Sequence, residues 1–220
     1  MDYKRILLFA GHYGSGKTNI AVNVAMHLQK ERGSVTIADL DIVNPYFRTT
    51  DSRRELEAAG IRLICSEYAG TNLDAPALPP DMYAITDDRS RTAVMDIGGD
   101  DRGALALGRY SPAIREEGNY EMLLVINGYR PLTRDVASTL EIIHEIETAG
   151  GIPFTAIVNN SNLGEETDAE TVLSSLDYAR EISEATGLPL KMTTVRKELY
   201  EELKDRIPDL FPLTLQYKIK

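Results

Sequence analysis

The sequence predicts an α/β fold, with a mostly parallel sheet of about seven strands and helices on both of its faces. Two observations lead to this prediction. Apolar runs of strand length recur along the 220 residues, and segments with helical spacing lie between them. Runs that are apolar nearly throughout suit strands covered on both faces, and regular alternation with helices indicates parallel strands. The length fits one domain, so we expect a single unit over 1–220.

Each element is predicted from its own pattern. The strands are expected at 5–10, 35–40, 61–65, 92–97, 121–127, 154–160 and 190–195. The helices are expected at 17–31, 52–59, 103–117, 133–149, 168–186 and 196–205. Glycine follows several of these helical segments, as in "ERGS" and "EATGLP", which is typical of helix ends. The stretch 67–88 contains three prolines and scattered turn residues, so we expect a long surface excursion there.

The composition narrows the range of partners and locations. The net charge is −10 and no cluster of basic residues occurs, so a nucleic acid partner is not expected. The single cysteine, Cys65, excludes an internal disulfide. The apolar run at the N-terminus is only six residues long, too short for a signal peptide or a membrane span. We therefore expect a cytoplasmic protein.

The segment "GHYGSGKT", residues 11–18, lies between the first predicted strand and the first predicted helix and fits G-x-x-x-x-G-K-[ST]. Glycines let backbone N–H groups turn toward phosphate oxygens, and the helix presents its positive end. The pattern predicts a three-layer P-loop NTPase fold. Lys17 is expected to be catalytic, because it reaches the β- and γ-phosphates, and Thr18 to ligate Mg²⁺. The predicted nucleotide-binding positions are Gly11, Gly14, Ser15, Gly16, Lys17, Thr18 and Asn19.

Carboxylates follow two of the predicted strands. Asp96 ends "TAVMDI", where it could hold Mg²⁺ through water, and the following Gly98-Gly99 pair would let a backbone N–H approach the γ-phosphate. Asp39 and Asp41 end the second strand. A carboxylate at that edge beside the phosphates could orient the attacking water, so Asp41 is a second catalytic candidate and Asp39 a further metal candidate.

The order of these motifs resembles the MinD/ParA group of P-loop ATPases, which includes ArsA, the nitrogenase iron protein and the CooC-type nickel-insertion ATPases. "GKT" is followed by "DLD…P" and then by "MDIGG", and the correspondence covers about residues 4 to 195. The resemblance implies that Asp41 positions the hydrolytic water and that Asp96 is a switch residue linked to Mg²⁺. It also implies that "AIVNN" holds adenine, with Asn159 as the first candidate and Asn160 as the second. The expected cofactors are ATP and Mg²⁺.

The sequence also departs from this group. Its members typically read K-G-G-x-G-K-[ST], and the extra lysine crosses a dimer interface; here His12 and Tyr13 stand at the lysine and the first paired glycine. A homodimer over the nucleotide therefore remains an open alternative. "VNNSN" lacks the N-K-x-D pattern of guanine-binding proteins, which favours ATP over GTP. Residues 209–220, "DLFPLTLQYKIK", alternate like a short strand, so no membrane anchor is expected.

Three functions are compatible with these residues. The leading hypothesis is a Mg²⁺-dependent ATPase that switches its binding to an unidentified protein partner, with enzyme maturation as one setting. Residues 44–56, with Tyr46, Phe47 and Arg48, would present the partner surface. The second is a small-molecule kinase or an ATP-dependent ligase of the dethiobiotin-synthetase type, with Arg48, Arg53 and 67–88 forming the substrate pocket. The third is a GTP-dependent metallochaperone, against which the missing Cys/His clusters argue.

Overall fold

The computed structural model describes residues 2–41, 49–65, 80–99 and 101–215, and these residues form one sheet with helices on both faces. The strands are β1 (Ile6–Ala10), β2 (Val35–Leu40), β3 (Arg62–Ile64), β4 (Thr92–Ile97), β5 (Tyr120–Ile126), β6 (Ala156–Asn159), β7 (Leu190–Arg196) and β8 (Leu210–Leu213). The helices are α1 (Lys17–Arg32), α2 (Arg53–Ala58), α3 (Ala84–Asp87), α4 (Asp101–Gly108), α5 (Ser111–Glu117), α6 (Val136–Gly150), α7 (Ala169–Thr186) and α8 (Lys197–Leu203).

All neighbouring strands of the sheet are parallel, in the order β3-β2-β4-β1-β5-β6-β7-β8. The carboxyl ends of the strands therefore meet at one edge. β1 lies between β4 and β5, and the chain winds away from it in both directions. In open sheets of this kind, ligands bind outside the carboxyl ends where the strand order reverses. The loop after β1 occupies that point.

The core lies on both faces of the sheet because successive side chains of a strand point to opposite sides. In β1, Ile6 and Leu8 pack with α4, α5, α6 and α7, whereas Leu7 and Phe9 pack with α1 and α2. All four side chains are fully buried. This arrangement explains why the strands are apolar nearly throughout, and it confirms the predicted layers of helix, sheet and helix.

The strand predictions are confirmed and one strand is added. The seven expected strands are present, and β8 forms an eighth from the C-terminal segment whose strand-like alternation was noted, so the described sheet is parallel throughout. The predicted helix 103–117 is wrong in its continuity, since it consists of α4 and α5. Pro112 explains the break, because its ring would clash with the carbonyl of Gly108 in an unbroken helix.

The predicted excursion at 67–88 is only partly covered by the structure. Residues 67–79 lie outside the described residues. The remainder forms a 3₁₀ turn, Pro80–Tyr83, followed by α3. Met82 and Ile85 are buried in the core, so 80–88 is not a surface excursion. Among the described residues there is no helix with both the length and the apolarity needed to cross a lipid bilayer.

Candidate functional site

The loop between β1 and α1 has the shape of a phosphate cradle. Gly14 and Gly16 have φ values of 78° and 92°, which favour glycine, and the Ser15 N–H donates to the His12 carbonyl over 3.1 Å. Gly16 is the residue immediately before α1, and no described side chain caps this end of the helix. The first N–H groups of α1 and its positive end therefore face the loop, an arrangement that suits an anion.

Two glycines allow other segments to approach this loop closely. A Cβ atom on Gly99, after β4, would lie 2.7 Å from both the Gly11 carbonyl oxygen and the Tyr13 nitrogen. A Cβ atom on Gly16 would collide with the Asn160 side chain. Because the atoms facing Gly99 belong to the backbone, they cannot rotate away. The sequence predicted that the Gly98-Gly99 pair serves the phosphates, and the structure places Gly99 directly against the loop that would hold them.

Replacement of Gly99 by alanine is expected to distort the phosphate loop and to weaken nucleotide binding by at least about 10-fold, since overpacking costs roughly 1–3 kcal/mol. Titration with a fluorescent nucleotide measures the effect. Gly33→Ala is the control, because Gly33 has a positive φ but nothing within 4 Å of its Cβ position. That variant should lose stability without losing affinity. Equal affinity of Gly99→Ala and the wild type would contradict the contact.

Four charged side chains gather under the loop. The Lys17 ammonium lies 3.1 Å from Asp41 Oδ2, and both side chains are 3% exposed. Asp39 accepts a hydrogen bond from the backbone N–H of Asp41 over 2.9 Å. Asp39 also stands opposite Asp96 in the register of β2 and β4, and Asp96 is fully buried. The structure thus brings together the predicted Lys17, Asp41, Asp39 and Asp96.

The pKa values of Lys17 and Asp96 reflect this crowding. Burial alone would lower the pKa of Lys17, but the negative charges of Asp96, Asp41 and Asp39 outweigh it and raise that pKa above its usual value. Burial raises the pKa of Asp96 to about 6, against the opposing effect of Lys17, and Asp41 raises it further. The lysine is therefore firmly charged, while Asp96 keeps its proton to a higher pH than an ordinary aspartate does.

A divalent cation fits beside Asp96. The Oδ1 atom of Asp96 is buried and has no hydrogen-bond partner within the described residues, while its Oδ2 accepts from the Thr49 hydroxyl over 3.0 Å. The hydroxyls of Thr18 and Thr49 both oppose the rise of its pKa. Thr18 is nine-tenths buried or more. Hydroxyl and carboxylate oxygens are ligands that Mg²⁺ accepts, usually with several waters retained. Among the described residues no group of three or more His, Cys, Asp or Glu side chains is arranged to hold a metal.

A cavity of about 480 Å³ opens beside the phosphate loop, within the size range of ligand sites. Its wall continues from the loop to the segment after β6, to the end of β7 and to the end of β8. The lining includes Tyr13, Gly14, Gly16, Lys17, Thr18, Asn19, Arg130, Asn160, Ser161, Asn162, Thr167, Val172, Val195, Arg196, Leu213 and Leu215. The wall combines the phosphate loop with four apolar side chains, Val172, Val195, Leu213 and Leu215. Such a wall suits a ligand that has an anionic part and an apolar part.

Most of the predicted loop positions face this cavity. Gly14, Gly16, Lys17, Thr18 and Asn19 line it. Gly11 and Ser15 are absent from the wall; a Cβ atom on Gly11 would collide with the Val125 carbonyl, and Ser15 is buried. Gly11 and Ser15 therefore contribute to the site by shaping the loop. Likewise the carboxylates of Asp39, Asp41 and Asp96 lie beneath Lys17 and do not form the wall.

Asn159, the last residue of β6, and Asn160, the residue after it, have different surroundings. Asn159 does not line the cavity, because it is fully buried, donates to the Ser175 hydroxyl over 2.9 Å and accepts from the Ser161 N–H. Its amide therefore supports the turn. Asn160 lines the cavity and ties it to the phosphate loop, since its amide donates to the Ser15 carbonyl over 2.6 Å. The Asn160 amide oxygen also accepts from the Thr194 hydroxyl over 2.6 Å, and which of the two amides would contact a base stays a prediction.

Several residues at the site escaped the sequence analysis. Thr49 has no motif around it, so only the fold reveals its contact with Asp96. Arg130 and Arg196 both line the cavity. Arg130 lies just beyond the end of β5, and Arg196 lies at the end of β7. A position at the carboxyl end of a strand is the sequence signal that points to such residues. Tyr13 is half exposed on the cavity rim, while the His12 ring contacts the carbonyl of Tyr13.

The residues predicted for a partner surface or a substrate pocket are only partly described. Tyr46, Phe47 and Arg48 lie outside the described residues. Arg53 is described, but its guanidinium donates to the Cys65 sulfur over 2.8 Å and pairs with Glu57 on the exposed side of α2. It does not line the cavity. The structure thus gives Arg53 no place in a substrate pocket beside the phosphates.

Several solved structures have the same fold as this chain. The chain is similar to the cell division protein FtsY of Thermotoga maritima, with a TM-score of 0.60 and 17% identity over 86% of this chain and 61% of that one. It is also similar to the signal recognition particle receptor FtsY of Elizabethkingia anophelis in complex with GDP, with a TM-score of 0.54 and 15% identity over 99% of this chain and 62% of that one. FtsY of Mycoplasma mycoides gives a TM-score of 0.53 and 17% identity over 88% of this chain and 63% of that one.

These likenesses concern the fold. The chain spans about three fifths of the length of the FtsY proteins it matches. No protein-family model and no curated protein sequence matches it. The parallel sheet, the loop after β1 and the lysine at its end define the fold as that of the P-loop nucleoside triphosphatases.

Proposed function

We propose that the protein binds and hydrolyses a nucleoside triphosphate with Mg²⁺ and uses the nucleotide to switch its contact with a protein partner. The observation that carries this proposal is the buried cluster of Lys17, Asp41 and Asp96 directly beneath a phosphate loop. A fold does not define a function, so the proposal rests on the residues of the site.

The ion pair between Lys17 and Asp41 suggests how binding leads to hydrolysis. Phosphate oxygens that enter the loop would compete with Asp41 for the Lys17 ammonium, which lies 3.1 Å from that carboxylate. Once Lys17 turns to the phosphates, the Asp41 carboxylate is released to accept a proton from, and orient, the attacking water. Mg²⁺, held by Thr18 and through water by Asp96, would supply positive charge to the phosphates.

The same cluster offers a route from nucleotide to partner. Thr49 is fully buried and donates to Asp96, and it begins the 3₁₀ turn Thr49–Ser52 that leads into α2. A change in the charge or metal contacts of Asp96 would alter that hydrogen bond. The segment before Thr49 includes the predicted partner surface. We propose that this connection makes partner binding depend on the nucleotide, as in other switches that read the terminal phosphate.

ATP is the nucleotide that we propose, in keeping with the resemblance to the MinD/ParA group. Counted from Asn160, the fourth residue is Leu163, so no carboxylate stands where a guanine-specific site places its aspartate. An asparagine amide carries both a donor and an acceptor, as adenine requires, and Asn160 would exchange its bonds with Ser15 and Thr194 for bonds with the base. GTP is a second candidate, because Arg196 on the cavity wall offers only donors and its Nε atom has no partner among the described residues. A neighbouring FtsY structure also holds GDP.

The test is phosphate release from ATP and from GTP, each measured with Mg²⁺ and with a chelator, together with sizing of the wild type and Asp41→Ala in the presence of the nucleotide. We expect ATP to be hydrolysed and Asp41→Ala to keep its affinity while losing turnover. Faster turnover of GTP than of ATP would make GTP the first candidate and ATP the second. Turnover that strictly requires an added metabolite would support the kinase or ligase alternative, and no turnover or binding of either nucleotide would overturn the proposal.

A further inference from the structure

The loop that follows β5 places an arginine on the rim of the phosphate site. The Arg130 N–H donates to the Asn127 carbonyl over 3.0 Å, and the Arg130 carbonyl accepts from the Thr133 N–H over 3.1 Å. The Thr133 hydroxyl also donates to the Asn127 carbonyl over 2.8 Å. These bonds close a tight turn around Arg130. The backbone that carries the arginine is thus held in one position.

The turn is also tied to the far wall of the cavity. Asn127 is fully buried, and its side-chain oxygen accepts from the Tyr129 N–H over 3.0 Å and from the Asn162 N–H over 3.3 Å. The side chain of Asn160, two residues earlier, holds the phosphate loop at Ser15. One network therefore fixes the position of Arg130 relative to both the phosphate loop and the wall that we assign to the base.

The side chain of Arg130 lies against the phosphate loop. A Cβ atom built on Gly14 would be 3.8 Å from Arg130 Nε and 3.9 Å from its Cδ, ordinary van der Waals distances. Both Arg130 and Gly14 line the cavity. Within the described part of the chain, no acidic group pairs with this guanidinium. Arg134 in the same loop differs, because it lies 3.6 Å from the Asp135 carboxylate.

The charges of the site call for a second cation. Asp39, Asp41 and Asp96 surround Lys17, and the entire chain has a net charge of −10. A triphosphate would bring further negative charge to this electronegative cluster. His12 does not line the cavity, and its ring contacts the carbonyl of Tyr13. Lys17, Arg130 and Arg196 line the cavity, and of the two arginines it is Arg130 that lies against the loop at Gly14.

We propose that Arg130 binds the terminal phosphates of the nucleotide beside Gly14, and that it does so within the same subunit. This inference rests on the proposed function. A guanidinium matches phosphate oxygens with two parallel donors, so it adds orientation as well as charge. The site then has a cation on each side of the phosphates, Lys17 and Arg130, without a residue from a second copy. Turnover per subunit would not depend on protein concentration.

The experiment compares Arg130→Gln, Arg130→Lys and the control Arg134→Gln by displacement of a fluorescent ATP analogue with ATP, ADP and adenosine. Arg130→Gln should weaken ATP binding by about 10- to 100-fold, as expected for hydrogen bonds to charged groups, and leave adenosine binding unchanged. Arg130→Lys should recover part of the loss. Arg134→Gln should match the wild type, and wild-type turnover per subunit should stay constant over a wide range of concentration.

Each other outcome is decisive. Unchanged ATP binding by Arg130→Gln overturns this inference and leaves the proposed function standing. An equal loss of affinity for ATP and for adenosine would show that Arg130 contacts the base or stabilises the fold. That result would also overturn this inference. Turnover that rises with protein concentration would show that a second copy completes the site. Failure of the wild type to bind any nucleotide would overturn the proposed function and this inference together.

Discussion

Replacement of Lys17 by methionine is expected to lower nucleotide hydrolysis by at least about 100-fold, the loss typical of removing one preorganised donor from a reacting oxyanion. Lys17 is the buried cation under the loop, and its charge is held by three carboxylates. Methionine keeps the apolar stem but not the ammonium. Phosphate release under saturating nucleotide measures the change. Turnover within about twofold of the wild type would contradict the assignment of Lys17.

The same substitution is expected to destabilise the protein without nucleotide. Breaking a buried ion pair by removing one partner costs roughly 3–5 kcal/mol, because the remaining charge is left uncompensated. Here the Lys17–Asp41 pair is 3% exposed on both sides, and Asp39 and Asp96 would remain. The loss should shrink on acidification, since Asp96, whose pKa burial raises to about 6, becomes neutral and no longer repels the other two carboxylates. Urea denaturation at pH 7.5 and at pH 5 would measure this.

A double substitution separates the ion pair from other effects of Lys17. The variant with both Lys17→Met and Asp41→Asn has no charged pair to break, so its free energy of unfolding should fall by less than the sum of the two single changes. Fully additive losses would show that the 3.1 Å contact between Lys17 and Asp41 contributes no coupling. We expect neither the double variant nor either single variant to hydrolyse the nucleotide as the wild type does.

The sheet was predictable because its signals are local and repeated. In β1 and β4 nearly every residue is apolar and buried, and that pattern survives in the sequence as an uninterrupted run. β8 was harder to identify, since it is short and Pro212 interrupts it. The parallel pairing of β7 with β8 depends on contacts between residues that are distant from any local motif. The break between α4 and α5 was visible as Pro112 but was outweighed by the helical spacing on either side.

The shape of the phosphate loop and the residues gathered at it were also predictable, because they follow from residue types at fixed spacing. Lys17, Thr18 and Asp96 meet where the pattern implied. The choice between Asn159 and Asn160 could not be made in the same way. The side chains of adjacent residues at the end of a strand point to opposite sides. Only the path of the chain beyond Asn159 decides which of the two side chains points into the protein interior. Arg130 required the fold, because its nearness to Gly14 joins two loops that are far apart in sequence.

Asp96 is the residue at which stability and function oppose each other. It is fully buried, and burial raises its pKa to about 6 from an ordinary value of 3.8. A raised pKa means that the folded state holds the proton more tightly than the unfolded chain. Above pH 6 the carboxylate is charged in both states and its burial costs roughly 3 kcal/mol; below pH 4 it is neutral in both and the penalty disappears.

Asp96→Asn should therefore be more stable than the wild type without nucleotide at pH 7.5, by roughly 2–3 kcal/mol, and the difference should vanish as the pH falls from 6 to 4. Thermal or urea unfolding across this range measures it, with the exposed Asp205→Asn as the control that should show no such trend.

Addition of Mg²⁺ and nucleotide should reverse the order of stability of Asp96→Asn and the wild type. The wild type would gain stability from the bound ligand, about 2.7 kcal/mol at 100 times its Kd, while Asp96→Asn would gain less and hydrolyse little. Equal stability of the two proteins at pH 7.5 would mean that the carboxylate is not desolvated as the structure implies. A gain in stability by Asp96→Asn without any loss of Mg²⁺-dependent turnover would exclude Asp96 from the metal site. A carboxylate that is buried in its charged form at this cost in stability is explained by a cation that it binds.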